Sequence, residues 1–352
     1  MKAVIYTVLS DHLKQQWEQL WLKMQSTTIM NSPYWFVAAM DVFKPERIRL
    51  VCVYEDDQLL AIAPFFECNH YGILVYATPI HELGDRSSIL CDFTHKEVVK
   101  LLVSKIAELR NVWLTGLLKH EASTLREFIT TARMIKSDLN AYIDFSDGPY
   151  GEYPEYMRNK IMRRSSRSPQ AFRAVHCEDF SIPTLQLIFE LDQKSVKQQK
   201  GRSIFGHEDI RKFIELLYTK APRNMHISIL YAGEQLIAYS LGYVCGSVYQ
   251  GSQKAYMPGF EYYSPGAYLL FSLLDYMRQK GSPELDFGKG YDRFKSFFTK
   301  KTRQLYTVEF TRNSWTSHYL LSMYKTRQRL YALVENHYGL YAFYKRLKHR
   351  FI

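Results

Sequence analysis

The sequence predicts an α/β protein of two related halves, each a mixed sheet flanked by helices, followed by basic helices at the C-terminus. Three observations carry that expectation. First, residues 50–65 (LVCVYEDDQLLAIAPF) align with residues 227–242 (ISILYAGEQLIAYSLG) at a constant offset of 177, so that Tyr54/Tyr231, Gln58/Gln235, Leu59/Leu236 and Ala61/Ala238 coincide. Each copy reads as strand, polar turn, strand, the pattern of a β-hairpin. Second, each copy follows a helical stretch and precedes further strands and a helix. Third, 47% hydrophobic and 15% aromatic residues in a chain of 352 suffice for two cores of ordinary size.

Residues 11–25 give the first helix, the 50–65 hairpin follows, and residues 96–110 give a later helix. A junction near residue 150 is marked by the Gly-, Pro- and Asp-rich SDGPYGEYP. Next comes a stretch at 156–173 with six Lys/Arg and no acid. It reads as an amphipathic connecting helix or as a phosphate or RNA contact. Stacking aromatics are sparse there, so the connecting helix is preferred, with one of its arginines reaching toward a ligand. The second half repeats the plan: a helix at 207–220, the 227–242 hairpin, and a strand at 248–255 in which Gly251 marks either a bulge or a weak strand position.

The segment from Tyr263 to Phe298 is the most informative. Ser264 is a good N-cap, and Pro265 at the first helical position has no N–H to leave unpaired. Gly266, followed by Ala267, lets another group approach the free donors of the first turn, which makes an anion-ready helix terminus. Leu270, Leu273, Leu274 and Met277 form the apolar face, and Gly281 and Pro283 end the helix. A strand at 284–287 breaks at Gly288 and Gly290, and a basic helix starts near Tyr291.

The formal net charge is +11. Residues 289–352 hold 14 Lys/Arg against 3 Asp/Glu, whereas residues 1–288 hold 32 of each. From Trp315 onward, apolar residues recur at helical spacing with Arg and Lys between them, which predicts two basic helices parted near Gly339. They either pack on the body or rest on an anionic membrane surface through residues 315–352. No apolar run approaches the roughly 20 residues that cross a bilayer, and the N-terminus lacks a signal-peptide core. The expected location is the cytoplasm, at the inner face of the membrane if the tail binds lipid. Five scattered cysteines and eleven dispersed histidines fit neither a disulfide framework nor zinc spacing, so no metal is expected.

Six stretches recur in order along nearly the whole chain: Asn31-Ser-Pro-Tyr-Trp35, Leu59-Leu-Ala-Ile-Ala-Pro-Phe65, the basic residues 160–167, Ser203-Ile-Phe205, Tyr263-Ser-Pro-Gly266, and Leu285-Asp-Phe-Gly288 leading to Lys295. Together they resemble the tandem-GNAT acyltransferases of the CelD type, which serve cellulose and exopolysaccharide biosynthesis, and their relatives the Fem peptidyltransferases. The resemblance implies a GNAT-like unit at 1–150, a second at 151–312 with the cofactor cleft, and a basic helical tail at 313–352. It implies a bacterial transferase with acyl-CoA as donor and no metal. The acceptor would be an amine or hydroxyl on an amino sugar or a polysaccharide or envelope precursor. In simple GNAT enzymes the pyrophosphate loop reads Arg/Gln-x-x-Gly-x-Gly/Ala, and here Tyr263 and Tyr268 occupy two of those places. The Fem branch also lacks the loop and uses aminoacyl-tRNA, which is the alternative donor. A non-catalytic GNAT body docked at a membrane is the other alternative.

Acyl transfer needs a polarised thioester carbonyl, a deprotonated nucleophile and a proton for the leaving thiolate. On this resemblance Gly251, Ser264, Gly266 and Ala267 would face the cofactor. Asp286 is the candidate base, with Asp292 and Glu261 as other acids nearby. Burial in an apolar strand would raise its pKa, although it reads equally as a cap on the Gly288–Gly290 turn or a partner of Lys295. Tyr291 stands roughly where relatives place a tyrosine that protonates the thiolate. Lys295, one turn on, would contact phosphate or acceptor. Arg163, Arg164, His207 and Asp292 complete the substrate-binding candidates, His207 reading also as a surface residue at a helix start.

Overall fold

The structure, a computed structural model, describes residues 1–24, 27–80, 83–129, 131–148, 155–177 and 180–334. The chain forms two compact units, Met1–Asp138 with Gln304–Ile352, and Leu139–Arg303.

Unit 1 opens with β1 (Lys2–Tyr6), α1 (Asp11–Lys23) and α2 (Pro33–Phe43). It continues through β2 (Ile48–Glu55), β3 (Gln58–His70), β4 (Ile73–Ala77), β5 (Leu90–Cys91), α3 (Lys96–Ile106), β6 (Asn111–Leu117) and α4 (Lys119–Phe128). The chain then runs out along β7 (Arg133–Asp144). Unit 2 contains α5 (Glu155–Ser165), β8 (Phe172–Cys177), α6 (Ile182–Lys194), α7 (Val196–Gln199) and α8 (Glu208–Lys220). After these come β9 (Met225–Ala232), β10 (Gln235–Cys245), β11 (Val248–Tyr256), α9 (Pro265–Gln279), β12 (Glu284–Lys289) and α10 (Arg293–Phe298). The chain returns to unit 1 along β13 (Thr302–Thr311) and ends its described part in α11 (Ser314–Val334).

The repeat is visible in the pairing. In unit 1 β1, β2, β3 and β4 are successively antiparallel, and β6 joins β4 in parallel after the α3 crossover. In unit 2 β8, β9, β10 and β11 do the same, and β12 joins β11 in parallel after α9. The hairpins share even their irregularity: the register slips between Val53 and Tyr54 in one and between Leu230 and Tyr231 in the other, 177 residues apart. Both turns place a residue at positive φ at matching positions, Asp56 at 50° and Gly233 at 57°. A coincidental likeness of two hairpins would not reproduce a bulge and a left-handed turn at one offset.

Each half lends its last strand to the other unit. β13, from the second half, pairs antiparallel with β6 in unit 1. The end of β7, from the first half, pairs antiparallel with β12 in unit 2, Leu285 opposite Ile143 and Asp286 opposite Tyr142. The compact units thus run 1–138 with 304–352 and 139–303, because pairing rather than chain order decides which unit a strand completes. Residues 149–154 of the expected junction, and Gly339 with the second tail helix, lie outside the described residues.

Local chemistry accounts for the helix starts. In Asn31-Ser-Pro-Tyr-Trp35 the Ser32 hydroxyl accepts from Trp35 N at 3.2 Å and Pro33 opens α2. Asn31 Oδ1 accepts from Trp21 Nε1 and from Thr28 N, both at 3.0 Å, which ties α2 to α1. The core of unit 2 that supports the site joins Phe271, Leu273, Leu274 and Met277 of α9 to Tyr249, Leu285 and Ile143 beneath it. Each such side chain contributes about 1.5–3 kcal/mol by leaving water. The first part of α11 packs on unit 1, with Leu320 fully buried beside Trp113 and Ser317 donating to Glu309 Oε2 at 2.6 Å.

Candidate active site

The site begins where β11 leaves β12. The two strands pair only at Tyr249–Leu285 and Gln250–Asp286. Just past that point β11 bulges: Gly251 faces Gly242 and Gln253 faces Leu241, so Ser252 has no partner on β10. Gly242 makes this possible, since a Cβ there would overlap the Tyr249 ring and stand 2.7 Å from the Gln250 carbonyl oxygen. Gly251 sits at the bulge, tight against β12, with its Cβ position 3.3 Å from the Asp286 carbonyl oxygen. Bulge and lost pairing together leave the edge of β11 that faces β12 without ladder partners.

At the far end of β11 the chain turns through residues Glu261–Tyr263 into α9. Ser264 is the N-cap residue, but its side chain does not cap the helix. Its backbone is left-handed, φ 56°, and the hydroxyl instead accepts from Arg164 Nη1 at 3.3 Å. The Ser264 carbonyl takes the N–H groups of Ala267 and Tyr268 at 3.1 and 3.0 Å. Ala267 is therefore committed to the turn and buried, and Gly266 keeps the first-turn N–H with no partner among the described residues. A Cβ on Gly266 would meet only Phe294 and Tyr256 ring atoms at 3.9 and 4.0 Å, so the approach is open. The last turn of α5 and the residues just after it fix the surroundings. Ser165 Oγ donates to the Tyr263 carbonyl at 2.8 Å, Arg167 donates to Tyr262 Oη at 3.3 Å, and Arg164 lies 5.6 Å over the Tyr262 ring. Arg164 of the basic stretch thus stands at the α9 terminus.

At β12 the structure assigns the charged residues firmly. Asp286, 3% exposed, accepts from Asn140 Nδ2 and Gly288 N, each at 2.6 Å and both through Oδ1. It caps the turn in which Gly288 and Gly290 adopt φ of 74° and 86°. Lys295 does not pair with it. Its ammonium donates to the carbonyls of Gly288, Lys289 and Gly290 at 2.9, 2.7 and 3.1 Å, which uses all three protons. Buried, Lys295 clamps the turn through its ammonium. Asp292 caps α10, accepting from Lys295 N at 2.8 Å. Tyr291 spends its O–H on the Thr299 carbonyl at 3.1 Å. Arg163 is exposed on α5, and His207 is exposed at the start of α8 with no side-chain cap.

Three residues escaped the sequence reading. Gln250 and Asn140 are buried, and their side-chain oxygens, Oε1 and Oδ1, find no partner among the described residues. They flank Asp286, Gln250 by register and Asn140 by hydrogen bond. Lys254, on the stretch of β11 that does not pair with β12, places its ammonium 3.7 Å from the Phe294 ring centre. The available signal was the run Gln250, Gln253, Lys254 in what is otherwise a central strand, where polar side chains need a reason. Among the described residues no cluster of His, Cys, Asp and Glu could hold a metal ion, and no helix is long and apolar enough to cross a membrane.

Residues 157–296 match the family model for an acetyltransferase (GNAT) domain. No curated protein matches the chain. Among solved structures, FemX is similar over 96% of this chain and 100% of its own, with a TM-score of 0.65 at 10% identity. A conserved protein of unknown function from Bacteroides thetaiotaomicron VPI-5482 is similar over 88% and 100%, at TM-score 0.60 and 13% identity. The C-terminal domain of a proposed lysylphosphatidylglycerol synthetase from Agrobacterium fabrum is similar over 88% and 93%, at TM-score 0.58 and 11% identity. Identities this low speak of fold alone. The chain carries a GNAT acetyltransferase domain within a mixed α/β fold, and the domain contains the parted strands and the α9 terminus.

Proposed function

We propose that unit 2 is an acyl-CoA-dependent N- or O-acyltransferase of the CelD-like kind, acting on an amino sugar or another polysaccharide or envelope precursor. One observation carries this: β11 parts from β12 just where buried, unsatisfied acceptor atoms gather, and the same strand leads to an open helix terminus attended by Arg164. The pyrophosphate would lie at the Gly266 N–H with Arg164 supplying the charge that the tyrosine-substituted loop lacks. The pantetheine would follow the free edge of β11, bringing the thioester to the bulge at Gly251. Gln250 Oε1 and Asn140 Oδ1 are acceptors only, which suits an incoming amine or hydroxyl with protons to donate. Asp286, with Oδ2 outside both of its hydrogen bonds, would take the nucleophile's proton.

Calorimetry and thermal shift with acetyl-CoA, longer acyl-CoAs and free CoA test the donor, because a ligand bound only by the native state raises its stability. Arg164→Glu and Gly266→Leu should each weaken binding about tenfold or more, the loss expected when a charge-assisted contact or the approach to it is removed. No shift with any thioester would overturn the acyl-CoA reading, and a response to aminoacyl-tRNA instead would move the donor to the Fem type.

We infer further that α11 rests on an anionic membrane at the cytoplasmic face. Trp315 and Leu333 are 83% and 70% exposed, Tyr319 and Leu330 about half exposed, and all recur at helical spacing with Lys325, Arg327 and Arg329 between them. Trp315→Glu with Leu333→Glu should abolish flotation with phosphatidylglycerol vesicles while leaving Leu320 packed. Unchanged recovery would refute the membrane role.

A further inference from the structure

We propose that Lys254 is the catalytic acid of the transfer: its ammonium meets the thioester sulfur where β11 parts from β12 and gives its proton to the leaving thiolate. The inference rests on the acyl-CoA reading above. Lys254 follows Gln250, the last residue of β11 that pairs with β12. Its Nζ lies 3.7 Å from the ring centre of Phe294 on α10 and 5.6 Å from that of Phe287 on β12, so the side chain spans the place where the strands separate. Tyr256, two residues along the same face, reaches within 4.0 Å of the Cβ position of Gly266. The ammonium and the open turn of α9 therefore look onto one side of the sheet.

The surroundings leave this cation unsatisfied. Aromatic faces favour a positive charge but accept none of its N–H bonds in the ordinary sense. None of the described residues accepts a hydrogen bond from Nζ; Lys197, from α7, bonds Gln253 instead. A partly buried ammonium with three unused donors is costly unless something else supplies the acceptor. Tyr291, the acid suggested by the sequence, already donates to Thr299.

The electrostatics fit the task. Burial draws the Lys254 amine down to about 7, Lys295 on α10 and Lys197 on α7 push in the same direction, and Asp292 at the α10 cap opposes them. A thiol ionises at about 8.5. An ammonium of this acidity therefore yields its proton to a thiolate readily, whereas an ordinary lysine would keep it. In the step, the acceptor nitrogen or oxygen bonds to the acyl carbon and its proton passes to Asp286. The C–S bond breaks, sulfur keeps the electron pair and takes the proton of Lys254, and CoA departs as the thiol. Lys254 is reprotonated from water, and Asp286 releases its proton there.

The test is calorimetry of the full chain at pH 7.5 with CoA and with acetyl-CoA, comparing wild type, Lys254→Met and Lys254→Arg. Only CoA offers a sulfur that can share a proton with the amine. Wild type should prefer CoA, Lys254→Met should lose that preference by about tenfold, and Lys254→Arg should retain it. Acetyl-CoA affinity should change little in both variants. Lys254→Gln repeats the comparison should the methionine variant not fold. If a neutral residue at 254 leaves the CoA preference intact, Lys254 is not at the sulfur, and the acyl-CoA reading survives without it. If wild type binds neither CoA nor acetyl-CoA, the donor reading fails and this inference falls with it.

Discussion

Lys295 shows how a basic residue can be turned onto backbone carbonyls. Its three bonds to Gly288, Lys289 and Gly290 hold a turn made of left-handed glycines. Lys295→Met should cost about 2–4 kcal/mol, because buried carbonyls lose their donors. Urea unfolding measures this, and a variant as stable as wild type would free Lys295 for another role. His176 gives the second prediction at this scale. It bonds Ser228 and Ser272 at 2.9 and 2.8 Å and stacks on Tyr276, and burial lowers its pKa to about 4. The native imidazole stays neutral where the unfolded one, titrating at about 6.5, takes a proton. Stability is therefore complete above pH 6.5 and falls as pH drops toward 4, by about 1–2 kcal/mol after solvent screening. His176→Gln should flatten that part of the urea-midpoint profile between pH 7.5 and 4.5. Neither residue's environment could be read from sequence, since the Lys295 ammonium bonds backbone and the partners of His176 come from β9 and α9.

At the scale of elements, sequence signals served best where a local rule has a single outcome. Ser32-Pro33 starts α2, Gly281 with φ 75° ends α9, and Gly290 with φ 86° stops β12, which runs through Gly288 to Lys289. They served less well where geometry has two outcomes. Ser264 sits at the N-cap, yet its left-handed backbone gives the hydroxyl to Arg164, a residue 100 positions away. Ser203-Ile-Phe205, quoted as part of the resemblance, turns out to be a lock: Phe205 is fully buried, while Ser203 and Tyr239 both donate to buried Asp192. The bulge in β11 is the element most open to test. Gly242→Ala would drive a methyl into Tyr249 and the Gln250 carbonyl, and the strand must shift to admit it. The variant should lose about 2 kcal/mol or more and, with the bulge displaced, bind CoA weakly. Unaltered affinity in a folded Gly242→Ala protein would separate the bulge from the donor site.

For the molecule as a whole, the duplicated plan was legible as a repeat of offset 177, and the exchange of final strands was not. Nothing local in β7 or β13 records which strand it will pair with, since each partner lies far away in the sequence. The exchange makes each unit depend on a segment from the other half of the sequence. Separate fragments 1–145 and 155–352 should therefore stay unfolded by circular dichroism, whereas their co-expression should recover native signal. A folded 1–145 fragment would show that unit 1 can close without β13. The order of synthesis gives the exchange a further meaning. While the chain is still growing on the ribosome, β6 waits with a bare edge until residues 302–311 have been made and released from the exit tunnel, so the half translated first is among the last parts able to finish folding. Such a nascent chain would dwell in an adhesive, half-built form for most of its translation, and holding chaperones or a pause late in the message would be expected to raise the yield of native protein.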